Sequence, residues 1–317
     1  MSADKPKPES QRDAYAETLV ELGKERSDIV VLTADLSSSV KTALFAKHFP
    51  ERHFNIGIAE QNMVSMAAGM AASGKTAFVS TFAIFGTGRV YDQIRQSVAY
   101  PKMNVKIVLT HVGITVGGDG ATHQMIEDLA LMRVLPNMTV ISPVDANETR
   151  KAVRAAAKLD GPVYIRLGRA EVPTLTKPED PFEIGKATVL REGTDVALIG
   201  TGIMVEKCML AAEELKKHGI EARVINLSTI KPLDRKTLIK AARETGAIVT
   251  AEEHNVALGM GAAVALALVE SVSVPMKRVG IPDTFGESGS PDELMAKYGL
   301  TVEHIVDAAH DVIGRKK

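Results

Sequence analysis

Three short stretches hold residue types suited to chemistry, and each follows a run that reads as a β-strand. The first, Gly57-Ile58-Ala59-Glu60-Gln61-Asn62, opens a segment rich in alanine, glycine and methionine. A glutamate in a first helical turn is what capping and the helix dipole favour, and it is equally a candidate proton-transfer group. The second holds Phe82 and Phe85, followed by Arg89, Tyr91, Asp92, Gln93 and Arg95. Two phenylalanines three apart share a helical face and belong either to the core or to a wall against a flat heteroaromatic ring. The third runs from His111 to Gln124 and carries Asp119 and His123 among four glycines. Glycines there permit unusual backbone angles and close ligand approach. Two histidines and an aspartate could ligate a metal, but no further ligand stands at helical i, i+4 spacing. Proton transfer and hydroxyl recognition on a polar substrate fit the trio better.

Two open parallel-sheet α/β domains would position these loops. In the first, the strand-like runs are Ile29–Thr33, His53–Gly57, Ala77–Ser80, Val105–Leu109, Met138–Ile141 and Val163–Arg166. Near-continuous apolar strands separated by helical patterns imply a parallel sheet covered on both faces. Ala170 to Pro181 holds three prolines and mixed charge without clear periodicity, which reads as a linker. The alternation then resumes with Val196–Ile199, Arg223–Leu227, Ala247–Ala251, Lys277–Ile281 and a last helix over Thr301–Val312. The expected layout is a first domain over residues 9–170, a linker over 171–185 and a second domain over 186–317. With 317 residues, each domain can bury a core of its own. Ligands of open α/β sheets bind at the carboxyl ends of strands, where the three loops fall.

Other readings are excluded by composition. Lysine plus arginine is 38 against 39 aspartate plus glutamate, with no basic stripe, so nucleic acid is not an expected partner. The most apolar stretch, Leu258 to Val269, is too short to span a bilayer, and Met1 to Gln11 lacks the apolar core of a signal peptide. No membrane association and a cytoplasmic location are expected. The single cysteine, Cys208, lies in an apolar helical stripe and reads as a buried thiol. Gly200-Thr201-Gly202 lacks the third glycine of a dinucleotide fingerprint.

Taken in order, these motifs carry a family resemblance. Gly57-Ile58-Ala59-Glu60-Gln61, the Phe82/Phe85 pair and Asp119-Gly120-Ala121-Thr122-His123-Gln124 resemble the pyrimidine-binding domain of transketolase and deoxyxylulose-phosphate synthase. Ser142-Pro143 and Gly161-Pro162 continue the likeness. Ala251-Glu252-Glu253-His254-Asn255 and Pro282 to Glu287 resemble the transketolase C-terminal domain. The resemblance implies a thiamine-diphosphate enzyme that transfers a two-carbon ketol unit between sugar phosphates. It assigns Glu60 to the proton shared with the pyrimidine N1′, and places Phe82, Phe85 and Arg89 around the cofactor. His111, Asp119 and His123 fall to substrate hydroxyls and carbonyl, with His111 and His123 as catalytic groups. Arg12, Arg169 and Ser39 match positions that hold a sugar phosphate, where a guanidinium fork suits oxyanions. Gly88 departs from the tyrosine that transketolases often carry.

The family also needs a domain that binds the diphosphate through Mg2+ or Ca2+, marked by Gly-Asp-Gly and an asparagine some two dozen residues later. Gly118-Asp119-Gly120 with Asn137 has too short an interval and already belongs to the substrate loop. With eleven residues ahead of Arg12, the expectation is that a partner subunit, the N-terminal half of a transketolase, supplies that domain and its metal. The closed form would be an A2B2 heterotetramer, and the isolated chain would not turn over. Alternatives are a deoxyxylulose-phosphate synthase-like chain, the β subunit of a 2-oxo-acid dehydrogenase and a non-catalytic stabilising module. The hydroxyl-recognising loop argues against the dehydrogenase, and the Phe82/Phe85 spacing with the Ala251 to Asn255 segment favours transketolase over the synthase. Retention of Glu60, both phenylalanines and both histidines argues against the last.

Overall fold

The computed structural model describes residues 8–316. Among these, a seven-stranded sheet has the spatial order Thr229–Lys231, Thr139–Ile141, Val163–Arg166, Val105–Leu109, Thr76–Ser80, Ile29–Thr33, His53–Asn55. Five of its strands are buried at every position, as expected of a sheet covered on both faces. The two-residue period of a strand sorts their side chains. Val30 and Leu32 join one apolar cluster, whereas Ile29 and Val31 join another on the opposite face.

The second sheet runs Met276–Ile281, Ile248–Asn255, Val196–Gly200, Ala222–Asn226, Thr188–Arg191. Here too Val196 and Leu198 face one cluster while Ala197 and Ile199 face the other. That second cluster is the one holding Val30 and Leu32. The two units therefore share apolar packing, and the expectation of a separate core for each gives way to a continuous one.

Three features correct the expected architecture. Neither sheet is wholly parallel: Thr229–Lys231 and Thr188–Arg191 each add an antiparallel edge. Thr229–Lys231 follows the second unit's strand Ala222–Asn226 yet closes the first unit's sheet, lashing the two together. The linker is also structured, since Glu171–Pro173 pairs antiparallel with Pro8–Ser10. Buried Asp145 fastens its next stretch by accepting from the Leu175 and Thr176 amides and the Thr176 hydroxyl at 2.6–2.8 Å.

Asp145 also caps the Ala146–Lys158 helix by accepting from the Glu148 amide. That helix buries Ala152, Val153, Ala156 and Ala157 in the cluster of Tyr15 and Leu19. Just beyond its far end, fully buried Lys106 donates to the Leu159 and Gly161 carbonyls at 2.6 Å. A cation there satisfies backbone acceptors after the helix, and burial lowers its pKa to about 7. Buried Cys208 has its pKa pushed up to about 12 by burial. No helix among the described residues is long and apolar enough to cross a membrane.

Candidate active site

The strand His53–Asn55 delivers the chain to Glu60 through a braced turn. The Asn55 side chain accepts from the Asp35 and Gly57 amides and donates to the Asp35 carboxylate. Gly57 has φ +77°, which a side chain would strain. Glu60 is the first residue of the helix Glu60–Ala72 and is 3% exposed. No side chain caps this helix through its N-cap residue, Ala59. The Glu60 carboxylate instead accepts from Arg89 Nη1 at 2.9 Å.

From Arg89 the contacts run on through aromatic rings. The Arg89 guanidinium carbon lies 4.5 Å from the Phe85 ring centre. Phe85 stacks with Phe82 at 6.0 Å, and Phe82 stacks on His111 at 3.7 Å. His123 meets the Phe85 and Phe82 rings edge-on at 5.4 and 6.5 Å. Phe82 precedes the short helix Ala83–Thr87, so both phenylalanines sit at the carboxyl end of Thr76–Ser80. Glu60, Arg89, Phe85, Phe82, His111 and His123 thus form one contiguous cluster at a sheet edge, although 63 positions separate Glu60 from His123 in the sequence.

His111 is held in an unusual state. Its φ is +61° and its Nδ1 lies 2.8 Å from the Thr110 hydroxyl. Burial first, then the charges of Arg12, Arg169 and His123, lowers its pKa to about 3. The ring is therefore neutral at neutral pH, and with Nδ1 engaged it offers Nε2 to a ligand. His123 is only half-buried, with Nδ1 2.9 Å from the Thr122 hydroxyl. Asp119 stands exposed at the end of the 3-10 turn Ile114–Asp119.

A second, cationic cluster adjoins the first. Arg12 donates to the Ser39 carbonyl at 2.9 Å and the Arg169 carbonyl at 2.8 Å. Arg169 donates to the Val116 carbonyl, so it also braces the histidine loop. Ser39 enters through its backbone oxygen. The Arg12 Nε is buried with no hydrogen-bond partner among the described residues. Burial lowers the Arg12 pKa; Asp13 opposes that shift and Arg169 adds to it. The charges of Arg12 and Arg169 act on each other and on His111, and such a pair of cations suits an oxyanion.

Residues to which the sequence reading gave no individual role hold the histidine loop in place. Glu253 is buried at the end of a second-unit strand and accepts from the Thr115 amide at 2.7 Å. Arg166 donates to the Glu253 carbonyl at 2.8 Å and to Asp128 at 2.7 Å, while Tyr164 also donates to Asp128 at 2.6 Å. Gln124 donates to the Glu287 carbonyl at 2.8 Å, tying the loop to the second unit again. Burial raises the Glu253 pKa and Arg166 opposes it. The neighbouring Glu252 accepts from the Met260 and Gly261 amides at the start of the helix Met260–Val269. The available signal was the run of three titratable residues, Glu252-Glu253-His254, continuing a buried strand.

Asn137, the asparagine downstream of Gly118-Asp119-Gly120, sits at φ +66° and donates to the Ala99 carbonyl, a turn-forming role. Among the described residues, no group of three or more His, Cys, Asp or Glu side chains is placed to hold a metal ion.

Residues 8–174 match the transketolase pyrimidine-binding domain family, and residues 185–305 match the transketolase C-terminal domain family. A putative transketolase C-terminal section from Methanocaldococcus jannaschii is 49% identical over 297 residues, covering 93% of each chain. A 6-deoxy-6-sulfo-D-fructose transketolase subunit from a Clostridium species is 46% identical and covers 96% of this chain and 95% of its own. Among solved structures, a split-gene transketolase described as an inactive β4 tetramer superposes with a TM-score of 0.92. It is 53% identical, covering 97% of this chain and 99% of that one. With matches of this extent to both domains, the chain belongs to the transketolase family, as a subunit carrying its pyrimidine-binding and C-terminal domains.

Proposed function

We propose that this chain activates thiamine diphosphate and binds the sugars in a two-subunit transketolase that transfers a two-carbon ketol unit between sugar phosphates. The observation that carries this reading is the buried Glu60 carboxylate, joined through Arg89 to a stack of aromatic rings. A flat heteroaromatic ring with a proton on its edge fits such a corner: Phe82 and Phe85 offer faces, and Glu60 offers an acceptor. When bound, thiamine diphosphate supplies the carbon nucleophile and the electron sink that ketol transfer requires.

The residues then divide the work. Glu60, with its buried carboxylate, holds the proton at the pyrimidine N1′. Phe82 and Phe85 orient the ring and exclude water, and Arg89 stands at its margin. Neutral His111 directs Nε2 to a substrate hydroxyl or carbonyl oxygen. Half-buried His123 exchanges protons with the sugar, and Asp119 accepts from a further hydroxyl. Arg12 and Arg169 hold the phosphate, with the Ser39 segment bracing Arg12.

The resemblance assigns the diphosphate and its Mg2+ or Ca2+ to a partner, the N-terminal transketolase subunit. The helix that begins at Glu60 supports a partner on this side. Its outer face exposes Gln61, Asn62, Ser65, Met66 and Gly69, and Ile58 just ahead is 80% exposed. Small and apolar residues there would let another chain approach closely. By likeness to the inactive β4 tetramer, this chain alone assembles without turnover, and the partner converts it into an active, cytoplasmic A2B2 enzyme. The test is to express the chain alone and with a diphosphate-binding partner, and to assay ketol transfer with pentose, branched and sulfonated sugar donors. Turnover should require both chains. Turnover by this chain alone would contradict the reading.

A further inference from the structure

We propose that Arg89 is an internal place-holder for the cofactor's aminopyrimidine ring, occupying the ring's two protein contacts in the free chain and withdrawing when the cofactor enters. This rests on Glu60 and Phe85 forming the ring site. Arg89 Nη1 donates to Glu60 Oε2 at 2.9 Å, and its guanidinium carbon lies 4.5 Å from the Phe85 ring centre. A guanidinium is planar and delocalised, with N–H donors along its edge, so it can pair with a carboxylate and lie against an aromatic ring together. A protonated aminopyrimidine offers the same two surfaces. Both cannot hold Glu60 and Phe85 at once.

Two further observations make Arg89 the movable member. The Glu60 side chain is 4% exposed, whereas that of Arg89 is 45% exposed, so the arginine can turn into water while the glutamate stays. The bond to Glu60 is the only side-chain hydrogen bond that Arg89 makes among the described residues. Gly88 beside it adds no side chain, and even a Cβ there would meet no more than the Ile84 carbonyl at 3.6 Å. A buried carboxylate left unpaired is costly, and Arg89 neutralises it until a ring with a proton arrives.

The cofactor's apparent affinity is then its intrinsic affinity reduced by the fraction of chains in which Arg89 has withdrawn. Calorimetric titration of thiamine diphosphate into the assembled two-subunit enzyme tests this. Arg89→Met, which keeps the stem and removes the charge, should tighten Kd by about two- to fivefold, the range expected of a partly exposed ion pair. Arg89→Lys, which keeps the charge without the planar stack, should fall between the two and serves as a check on folding. Unchanged or weaker binding by Arg89→Met, with Arg89→Lys near the parent, would overturn the place-holder and leave the ring site standing. No binding by the parent enzyme would overturn both. In a Glu60→Gln background Arg89→Met should lose its effect; a persisting gain would overturn the place-holder, since it would not run through Glu60.

Discussion

Replacing Gly113 with alanine would put a methyl group where the histidine loop meets the second domain. Gly113 has φ +70° and ψ −168°, a region open in practice to glycine alone, so strain there costs about 1–3 kcal/mol. The added Cβ would lie 2.1 Å from the Glu253 carboxylate carbon and 2.2 Å from one of its oxygens. Glu253 is 2% exposed, so to yield it must give up its bond to the Thr115 amide. Leaving that amide and carboxylate unsatisfied adds about 1–3 kcal/mol. The sum predicts a loss of about 2–6 kcal/mol, read as a lower urea midpoint by circular dichroism. Gly118→Ala in the same loop is the control. A Cβ there meets nothing within 4 Å and φ is not positive, so it should stay within about 0.5 kcal/mol of the parent. In the assembled enzyme, Gly113→Ala should also raise the KM for the ketose donor, because the loop carries His111, Asp119 and His123. If Gly113→Ala matched the control in both assays, the loop would not be anchored as described.

Further outcomes follow from the same geometry. The folded pKa of His111, about 3, lies below its ordinary 6.5. Between those values the unfolded chain binds a proton that the folded chain does not, so stability falls as pH drops through that window. Thermal midpoints measured from pH 7 to 4 should fall less steeply for His111→Asn, and equal slopes would exclude this histidine as a source. Arg166→Met leaves fully buried Asp128 without its cation and should cost about 3–5 kcal/mol in urea unfolding. Adding Asp128→Leu should recover much of that loss, and a purely additive pair would contradict the ion-pair explanation. Arg12→Ala should raise the KM for a phosphorylated donor by about tenfold or more while sparing its unphosphorylated analogue. Equal effects on both donors would take the phosphate away from this site.

Much of the first sheet was legible because its strands announce themselves. Ile29–Thr33, Val105–Leu109 and Val163–Arg166 are apolar runs bounded by polar or turn residues, and their ends fall where pattern places them. Thr229–Lys231 and Pro8–Ser10 were not legible. Three residues are too few to show a period, and each owes its strand character to a partner far away in the sequence. The second unit's longest strand reads as Ala247–Ala251 by apolar content but runs Ile248–Asn255, because Glu252, Glu253 and His254 are buried despite being polar. Charged residues are poor strand signals until Thr115, Met260, Gly261 and Arg166 come into view as partners. The site shows the same division. Glu60, Phe82, Phe85 and the two histidines stand in recognisable local contexts. The Arg89 contact to Glu60 spans 29 positions and the Glu253 contact to Thr115 spans 138, and no local pattern encodes either.

The most direct test concerns Glu60 itself. Assemble this chain carrying Glu60→Gln with its diphosphate-binding partner, verify the oligomer by light scattering, and measure ketol-transfer turnover against the parent. Glutamine keeps the shape and loses the exchangeable proton, so turnover should fall by about 10²- to 10⁴-fold in an oligomer of unchanged size. Turnover within a few fold of the parent, in an intact oligomer, would contradict the role given to this carboxylate.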